Sequence, residues 1–205
     1  MALSFVSKLP KGEQQELLDD LNYLNTAEIK SFCDRHSIPY RIAVETKDGG
    51  RRMTKDDDRK AVMLQRIRHF LRTGVILEET RFPASVVCFD QLSDNLTADD
   101  QLFYGQYDKT NHRMIAVLRS LTNEQFKNGA IARIVARDFW SSGKAPTFRE
   151  YASAWMQASR EHLRPNPEWA FLSDRASKKA VTDWKKLRKH KASRTLKVLN
   201  QIACG

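Results

Sequence analysis

The sequence predicts a mainly α-helical protein: a helix–linker–helix module, a multi-helix domain and a basic C-terminal helical arm. Apolar residues recur at helical spacing, capping patterns precede several of these segments, and strand-like alternation is scarce. With 41% apolar and 29% charged residues among 205, the chain can form a packed core. The expected domains are residues 1–76, a helical region of unassigned role over 77–165, and a basic segment over 166–205.

The first two helices are expected near the N-terminus. Leucines form one stripe over 13–24, and Asn25 or Thr26 can cap the helix that follows. That second helix ends before Pro39, because the residue preceding a proline is pushed out of the helical region.

A polar loop over 45–54 separates these helices from a third one, and its Asp-Gly-Gly turn allows a small hairpin. The third helix is expected over about 57–72, with Asp56–Asp58 at its positive end and Gly74 terminating it. On this helix Arg66 is expected to point sideways or outward.

The middle of the chain predicts further helices after a poorly patterned segment. Residues 86–89 are compatible with a short strand or a buried extended piece, and Thr122 and Thr147 each begin a capping-box pattern. Pro165 and Pro167 should break the chain before the basic stretch. The expected helices cover 97–104, 111–121, 122–140 and 147–163, and the aromatic residues expected in their core are Phe139, Trp140, Phe148, Tyr151 and Trp155.

The net charge of +10 is concentrated near the C-terminus. Arg175–Lys197 contains ten Lys or Arg residues against one acid, Asp183, which gives +9. The other 25 basic and 24 acidic residues give +1. Such a stretch is either a solvated helix face or a surface for nucleic acid, since each neutralised phosphate releases counterions.

Several classes of protein are not indicated. No run of about 20 apolar residues predicts a membrane span, and the first residues show no secretory signal. Three cysteines, Cys33, Cys88 and Cys204, form no disulfide framework, so a cytoplasmic location is expected. In a bacterium the protein would be nucleoid-associated.

The sequence predicts no enzyme, no cofactor and no metal. The motifs GxxxxGK[ST], GxGxxG, HExxH and GxSxG are absent. Cys33 and His36 have the spacing of half a zinc site, which His69 and Cys88 could complete, but no second closely spaced pair exists. Because Cys33 and His36 lie on an apolar stripe, we expect a buried cysteine beside a packed histidine.

Two segments carry a family resemblance: LNTAEIKSFCDRHSIP at 24–39 and DRKAVMLQRIRHFLRTG at 58–74. Together they resemble the SAP module of small bacterial SAP-domain proteins, a helix–extended linker–helix unit that binds DNA. Arg137-Asp138-Phe139 and the Ala152-x-x-Trp155 helix are also similar to the region that follows in such proteins. The usual Ser-Gly-x-Lys linker is replaced here by a longer basic insert over 43–55.

The resemblance implies contacts to the backbone of double-stranded DNA with weak sequence selectivity. Helix N-termini would receive phosphate oxygens, and flanking cations would set the register along the duplex. The expected contacts are Lys30, Arg41, Arg51, Arg52, Lys55, Arg59, Lys60, Arg66, Lys178, Lys179, Lys185, Lys186, Arg188 and Lys189.

Two other functions stay open. The alternative is a helical protein-interaction adaptor that has a SAP-like fold and does not bind DNA. The acids Asp56–Asp58 favour it, and so do the aromatic residues of the middle region, through which a protein partner would bind. A third hypothesis is a nuclease or toxin with a non-standard site.

Overall fold

The computed structural model describes residues 4–162 and 178–203, and this part of the chain is mainly helical with one small sheet. The mainly α-helical fold class is therefore confirmed. The helices are α1 (Lys11–Asp20), α2 (Thr26–Arg35), α3 (Lys60–Thr73), α4 (His112–Leu121), α5 (Ala130–Ser141), α6 (Phe148–His162) and α7 (Lys178–Ala203). The strands are β1 (Arg41–Glu45), β2 (Arg51–Asp57) and β3 (Arg81–Phe82).

The chain divides into two compact units. The helical unit contains the described residues of 1–40, 58–79 and 165–205, and the mixed unit contains those of 41–57 and 80–164. The three domains expected from the sequence were consecutive segments, whereas each of these units combines separate parts of the chain. The α7 helix joins α1, α2 and α3, whereas the hairpin between α2 and α3 belongs to the mixed unit.

Local capping explains the ends of α2 and α3. The Glu28 N–H donates to the Asn25 side chain over 2.8 Å, and the Asn25 N–H donates back to the Glu28 carboxylate. This reciprocal capping box satisfies two N–H groups that would otherwise lack partners. Gly74 ends α3 with φ of 70°, a left-handed conformation in which glycine is not strained. The predicted cap at Asn25 and stop at Gly74 are confirmed.

The described part of α7 packs on the N-terminal helices. Ala192, Leu199 and Ile202 are each at most 3% exposed and belong to the same core as residues of α1, α2 and α3. The basic C-terminal segment is therefore, over these residues, an integral helix of the helical unit. The core that it completes includes Leu17, Leu21, Ile29, Phe32, Leu64, Ile67 and Leu71.

The acidic triplet does not begin α3 as expected. Asp56 and Asp57 end β2, Arg59 is the N-cap of α3, and the helix starts at Lys60. Asp58 lies between them with its side chain 4% exposed. The Asp58 N–H donates to the Tyr40 carbonyl over 2.7 Å, which fixes the chain before the helix.

Arg66 is buried, and the expectation that it points outward was wrong. Its Nη1 donates to the Asp58 carboxylate and to the Pro39 carbonyl, and its Nε donates to the Glu78 carbonyl. The charged guanidinium can lie buried in the helical unit because one carboxylate and two carbonyl oxygens accept hydrogen bonds from it.

The mixed unit combines the sheet with α4, α5 and α6. The strand order is β2-β1-β3, with β1 antiparallel to β2 and parallel to β3, so the predicted hairpin exists. The expected aromatic core is confirmed for Trp140, Phe148, Tyr151 and Trp155, which are buried, and Phe139 is half-buried at its edge.

Several predicted boundaries in the mixed unit were wrong. Residues 97–104 form no helix, because Thr97 bonds Asp100 in a turn and Gln101 and Tyr104 make isolated bridges. Residues 84–86 form a short 3-10 helix, so the extended piece begins at Val87, which pairs with Tyr104 in an isolated bridge, and not at Val86. The α5 helix begins only at Ala130, after a turn in which Thr122 accepts from the Phe126 N–H.

The capping box predicted at Thr147 is present. The Glu150 N–H donates to the Thr147 hydroxyl over 3.1 Å, and the Thr147 N–H donates to the Glu150 carboxylate over 2.9 Å. The predicted break at Pro165 and Pro167 lies outside the described residues.

We predict that Asp58→Ala lowers the free energy of unfolding by about 3–5 kcal/mol, since it removes a buried carboxylate that pairs with the buried Arg66 guanidinium. Urea denaturation followed by circular dichroism measures this loss. Asp94→Ala is the control, because the Asp94–Arg113 pair is 84% and 60% exposed, and it should cost at most about 1 kcal/mol. Equal losses in the two variants would contradict the role assigned to the buried pair.

Candidate nucleic-acid interface

The cations on one side of α7 bind acidic side chains and a backbone carbonyl of the same protein. Arg188 donates to the Glu28 carboxylate and to the Tyr23 carbonyl, Lys191 donates to Asp20 over 3.0 Å, and Arg194 donates to Glu16 over 2.6 Å. The hydrogen bond from Arg194 lowers the pKa of Glu16, and the hydrogen bond to Asp20 raises the pKa of Lys191. These cations are neutralised by acids of α1 and α2.

The other side of α7 carries what we call the lysine strip: Lys185, Lys186, Lys189 and Lys197. All four side chains are exposed, and none forms an ion pair with another residue of the described ranges. At 100° per residue the four lysines occupy about 120° of the helix surface, and the centre of this arc lies about 100° from Leu199 and about 160° from Ile202. The sequence holds no Asp or Glu from 184 to 203, so nothing on this strip opposes a negative partner.

The expected contacts in the helix–linker–helix segment are engaged within the helical unit. The Lys30 ammonium lies 5.6 Å from the centre of the Tyr40 ring, and Lys60 donates to the Asn22 carbonyl over 2.6 Å. Arg59 is a half-buried N-cap residue, and Arg66 is buried. Arg66 therefore cannot meet an external phosphate without breaking its ion pair with Asp58.

The N-terminus of α2 differs from the phosphate site that the resemblance implies. The Glu28 carboxylate already accepts from the Asn25 N–H, and Arg188 donates to the same carboxylate. A side-chain carboxylate thus occupies this end of the helix and meets its partial positive charge.

The remaining expected contacts lie on the hairpin of the mixed unit. Arg41, Arg51, Arg52 and Lys55 are exposed, and β2 is an edge strand of the sheet. Two of the arginines stand opposite acids across the strands: Arg51 pairs with Glu45, and Arg41 pairs with Asp57. Arg52 stands opposite Val44, so Arg52 and Lys55 are the hairpin cations with no acid directly across the ladder.

Two residues of the acidic triplet are occupied by partners that the sequence pattern could not reveal. Asp56 accepts from the Tyr104 hydroxyl over 2.8 Å and lies 3.5 Å from Arg137, while Asp58 pairs with Arg66. Burial, aided by Asp56, raises the pKa of Tyr104 to about 12, so this hydroxyl stays a donor at neutral pH. These contacts remove much of the repulsion that the triplet would exert on phosphate.

Two expected contacts, Lys178 and Lys179, lie in the first turn of α7. Their side chains fall outside the described part of the chain.

Cys33 and His36 are packing residues. Cys33 is fully buried, and the His36 ring lies 4.4 Å from Phe32 and 5.3 Å from Phe70, centre to centre. Burial raises the pKa of the Cys33 thiol to about 12. Within residues 4–162 and 178–203, no three His, Cys, Asp or Glu side chains form a group that could hold a metal ion.

The chain matches no protein-family model, no curated protein and no solved structure. Across the described helices, none combines the length and the apolar character that crossing a bilayer requires.

We predict that Cys33 resists alkylation in the folded protein. With a pKa of about 12, it is almost entirely in the unreactive thiol form at pH 8, and the core blocks access to it. Iodoacetamide should modify the half-exposed Cys88 at least about 100-fold faster, as measured by mass spectrometry of peptides. In urea the two rates should converge, and similar rates in the native state would contradict this burial.

Proposed function

We propose that this protein is a non-enzymatic DNA-binding protein that contacts the phosphate backbone of the duplex with weak sequence selectivity. The lysine strip of α7 is the observation that supports this most. Its cations are exposed and form no ion pair with another described residue, whereas the inward cations of the same helix are already neutralised.

The length of the strip suits a duplex backbone. At a rise of 1.5 Å per residue, the 12 steps from Lys185 to Lys197 cover about 18 Å. Measured along the duplex axis, this length contains about five phosphates of each strand. Each lysine that neutralises a phosphate releases counterions, which adds affinity without reading a base.

The hairpin supplies the second set of contacts in this proposal. Arg52 and Lys55 are exposed on an edge strand, and both carry a positive charge that can pair with phosphate oxygens. The strip consists of lysines alone, whose flexible point charges suit phosphate oxygens better than the bidentate reading of a base edge, so weak selectivity is expected.

The SAP-like resemblance enters the proposal in a modified form. We place α2 and α3 as the two helices of the module and the β1–β2 hairpin in the position of its linker. Lys30, Lys60 and Arg66 have partners inside the helical unit. We therefore assign the contacts to the DNA backbone to the C-terminal helix and the hairpin.

The adaptor alternative loses part of its support. It rested on the acidic triplet and on the aromatic residues of the middle region. Asp56 and Asp58 are bound to Arg137 and Arg66, and those aromatic residues belong to the core of the mixed unit. It remains as an outcome of the test below.

The test is a salt titration of duplex binding by the full chain, followed by fluorescence anisotropy. The combined substitutions Lys186→Gln, Lys189→Gln and Lys197→Gln should reduce the slope of log K against log salt by about 2–3, since each lost phosphate contact removes about 0.9. Affinity for unrelated duplex sequences should fall by a similar factor.

The matched control is Lys11→Gln, Arg119→Gln and Lys127→Gln, which removes the same three charges from exposed positions elsewhere. Its slope should change by less than about 1. Equal effects of the two triple variants, or no duplex binding at about 50 mM salt, would contradict the proposal. If a single protein partner were then retained after nuclease treatment, the adaptor function would be supported instead.

A further inference from the structure

The mixed unit contains a cleft of about 340 Å³ that the DNA-backbone proposal does not use. It lies between α5 and the segment 104–109, and aromatic and charged side chains together line its walls. The aromatic residues that line it are Phe89, Tyr104, Tyr107 and Trp140. A volume above 300 Å³ is in the range of small-molecule sites.

One face of α5 forms a side of the cleft. Arg133, Ala136, Arg137 and Trp140 line it at positions i, i+3, i+4 and i+7, so they share one helix face. Ala136 and Trp140 are buried, and the Trp140 Nε1 donates to the Leu102 carbonyl over 3.0 Å. The small side chain of Ala136 leaves space between the tryptophan and the arginines.

Phe89 is the unusual member of this cleft. Its side chain is 64% exposed, the highest value among the large hydrophobic residues of the described chain that are exposed. Its ring meets Tyr104 edge to face, with 6.3 Å between the ring centres. Leaving a phenyl ring in water forgoes the free energy of its burial, and a flat ligand in the cleft would recover part of it.

Gly105 keeps the backbone close to Phe89. Its φ is 98°, and a Cβ atom there would stand 2.4 Å from the Cys88 carbonyl oxygen and 2.7 Å from Phe89 Cδ1. The absence of a side chain at this position therefore allows the ring to lie beside the cleft.

The charges of the cleft favour an anion. Arg137 is held by the Asp57 carbonyl over 2.9 Å and by Asp56, so that pair is internally balanced. Asp108, whose pKa is lowered by hydrogen bonds from Thr110, opposes one cation. Arg133 and Lys109 are exposed and form no ion pair with the rest of the described chain, which leaves one positive charge in excess.

We propose that this cleft binds one unstacked nucleotide. Its base lies against Phe89 and beside Tyr104, and its phosphate meets Arg133 and Lys109. Base–aromatic stacking tolerates any base because each has a π face, and the arginine adds the attraction for phosphate. The shared chemistry is a planar ring that carries a phosphate, and its source is a free mononucleotide or a nucleotide of a single strand. This site does not depend on duplex binding by α7.

The test measures binding of AMP, adenosine, ribose 5-phosphate and single-stranded (dA)6 to the full chain by calorimetry. Phe89→Ala should weaken binding of both AMP and adenosine by about 5- to 100-fold, because each loses its stacking partner. Arg133→Gln should weaken AMP and leave adenosine unchanged, because only AMP carries the phosphate.

Two matched variants control for general effects. Ile76→Ala removes another exposed apolar side chain, and Arg119→Gln removes another exposed arginine. Neither should change AMP binding. If (dA)6 binds more tightly than AMP and Phe89→Ala abolishes that binding, the ligand of the cleft is a nucleotide of a single strand. Equal affinities for (dA)6 and AMP would identify it as the free nucleotide.

The proposal is overturned if neither AMP nor (dA)6 binds at millimolar concentration, or if Phe89→Ala leaves the binding of both unchanged. Binding of ribose 5-phosphate as tight as that of AMP would also overturn it. Because Phe89→Ala leaves the lysine strip intact, the salt dependence of duplex binding should be the same in this variant. The two proposals can therefore fail separately.

Discussion

The ion pairs between α7 and the first two helices decide which charges of this protein remain for a partner. Glu16 pairs with Arg194, Asp20 pairs with Lys191 and Glu28 pairs with Arg188, and the apolar face of α7 packs beside these pairs. Pairing and packing together fix the rotation of the helix about its own axis. The lysine strip faces outward for that reason, and the cations in the described part of α7 divide into an inward, paired set and an exposed set.

Features that depend on neighbouring residues could be predicted from the sequence. The cap at Asn25, the capping box at Thr147 and the left-handed stop at Gly74 each involve residues within one turn of a helix. The hairpin was foreseen from its Asp-Gly-Gly turn. The helix expected over 97–104 was not found, because Gln101 pairs with Thr147 and Tyr104 with Val87 in bridges that no local pattern encodes.

Features that depend on distant partners could not be predicted. Helical periodicity placed Arg66 at the side of α3, but Asp58 and two backbone carbonyls draw its guanidinium into the helical unit. From the sequence alone, Asp56 is a charge that would repel phosphate, but in the structure its carboxylate contacts Tyr104 and Arg137. The exposed lysines of α7 could be named from composition, whereas the inward role of Arg188 required knowledge of Glu28, which lies 160 residues earlier.

Amine footprinting tests most directly whether the outward side of α7 meets the duplex. Acetylation of each lysine is compared by mass spectrometry with and without saturating duplex DNA at low salt. The account predicts that Lys185, Lys186, Lys189 and Lys197 become several-fold less reactive, while the exposed Lys11 and Lys127 do not change. Protection of Lys11 and Lys127 with no protection on α7, or unchanged reactivity throughout, would contradict it.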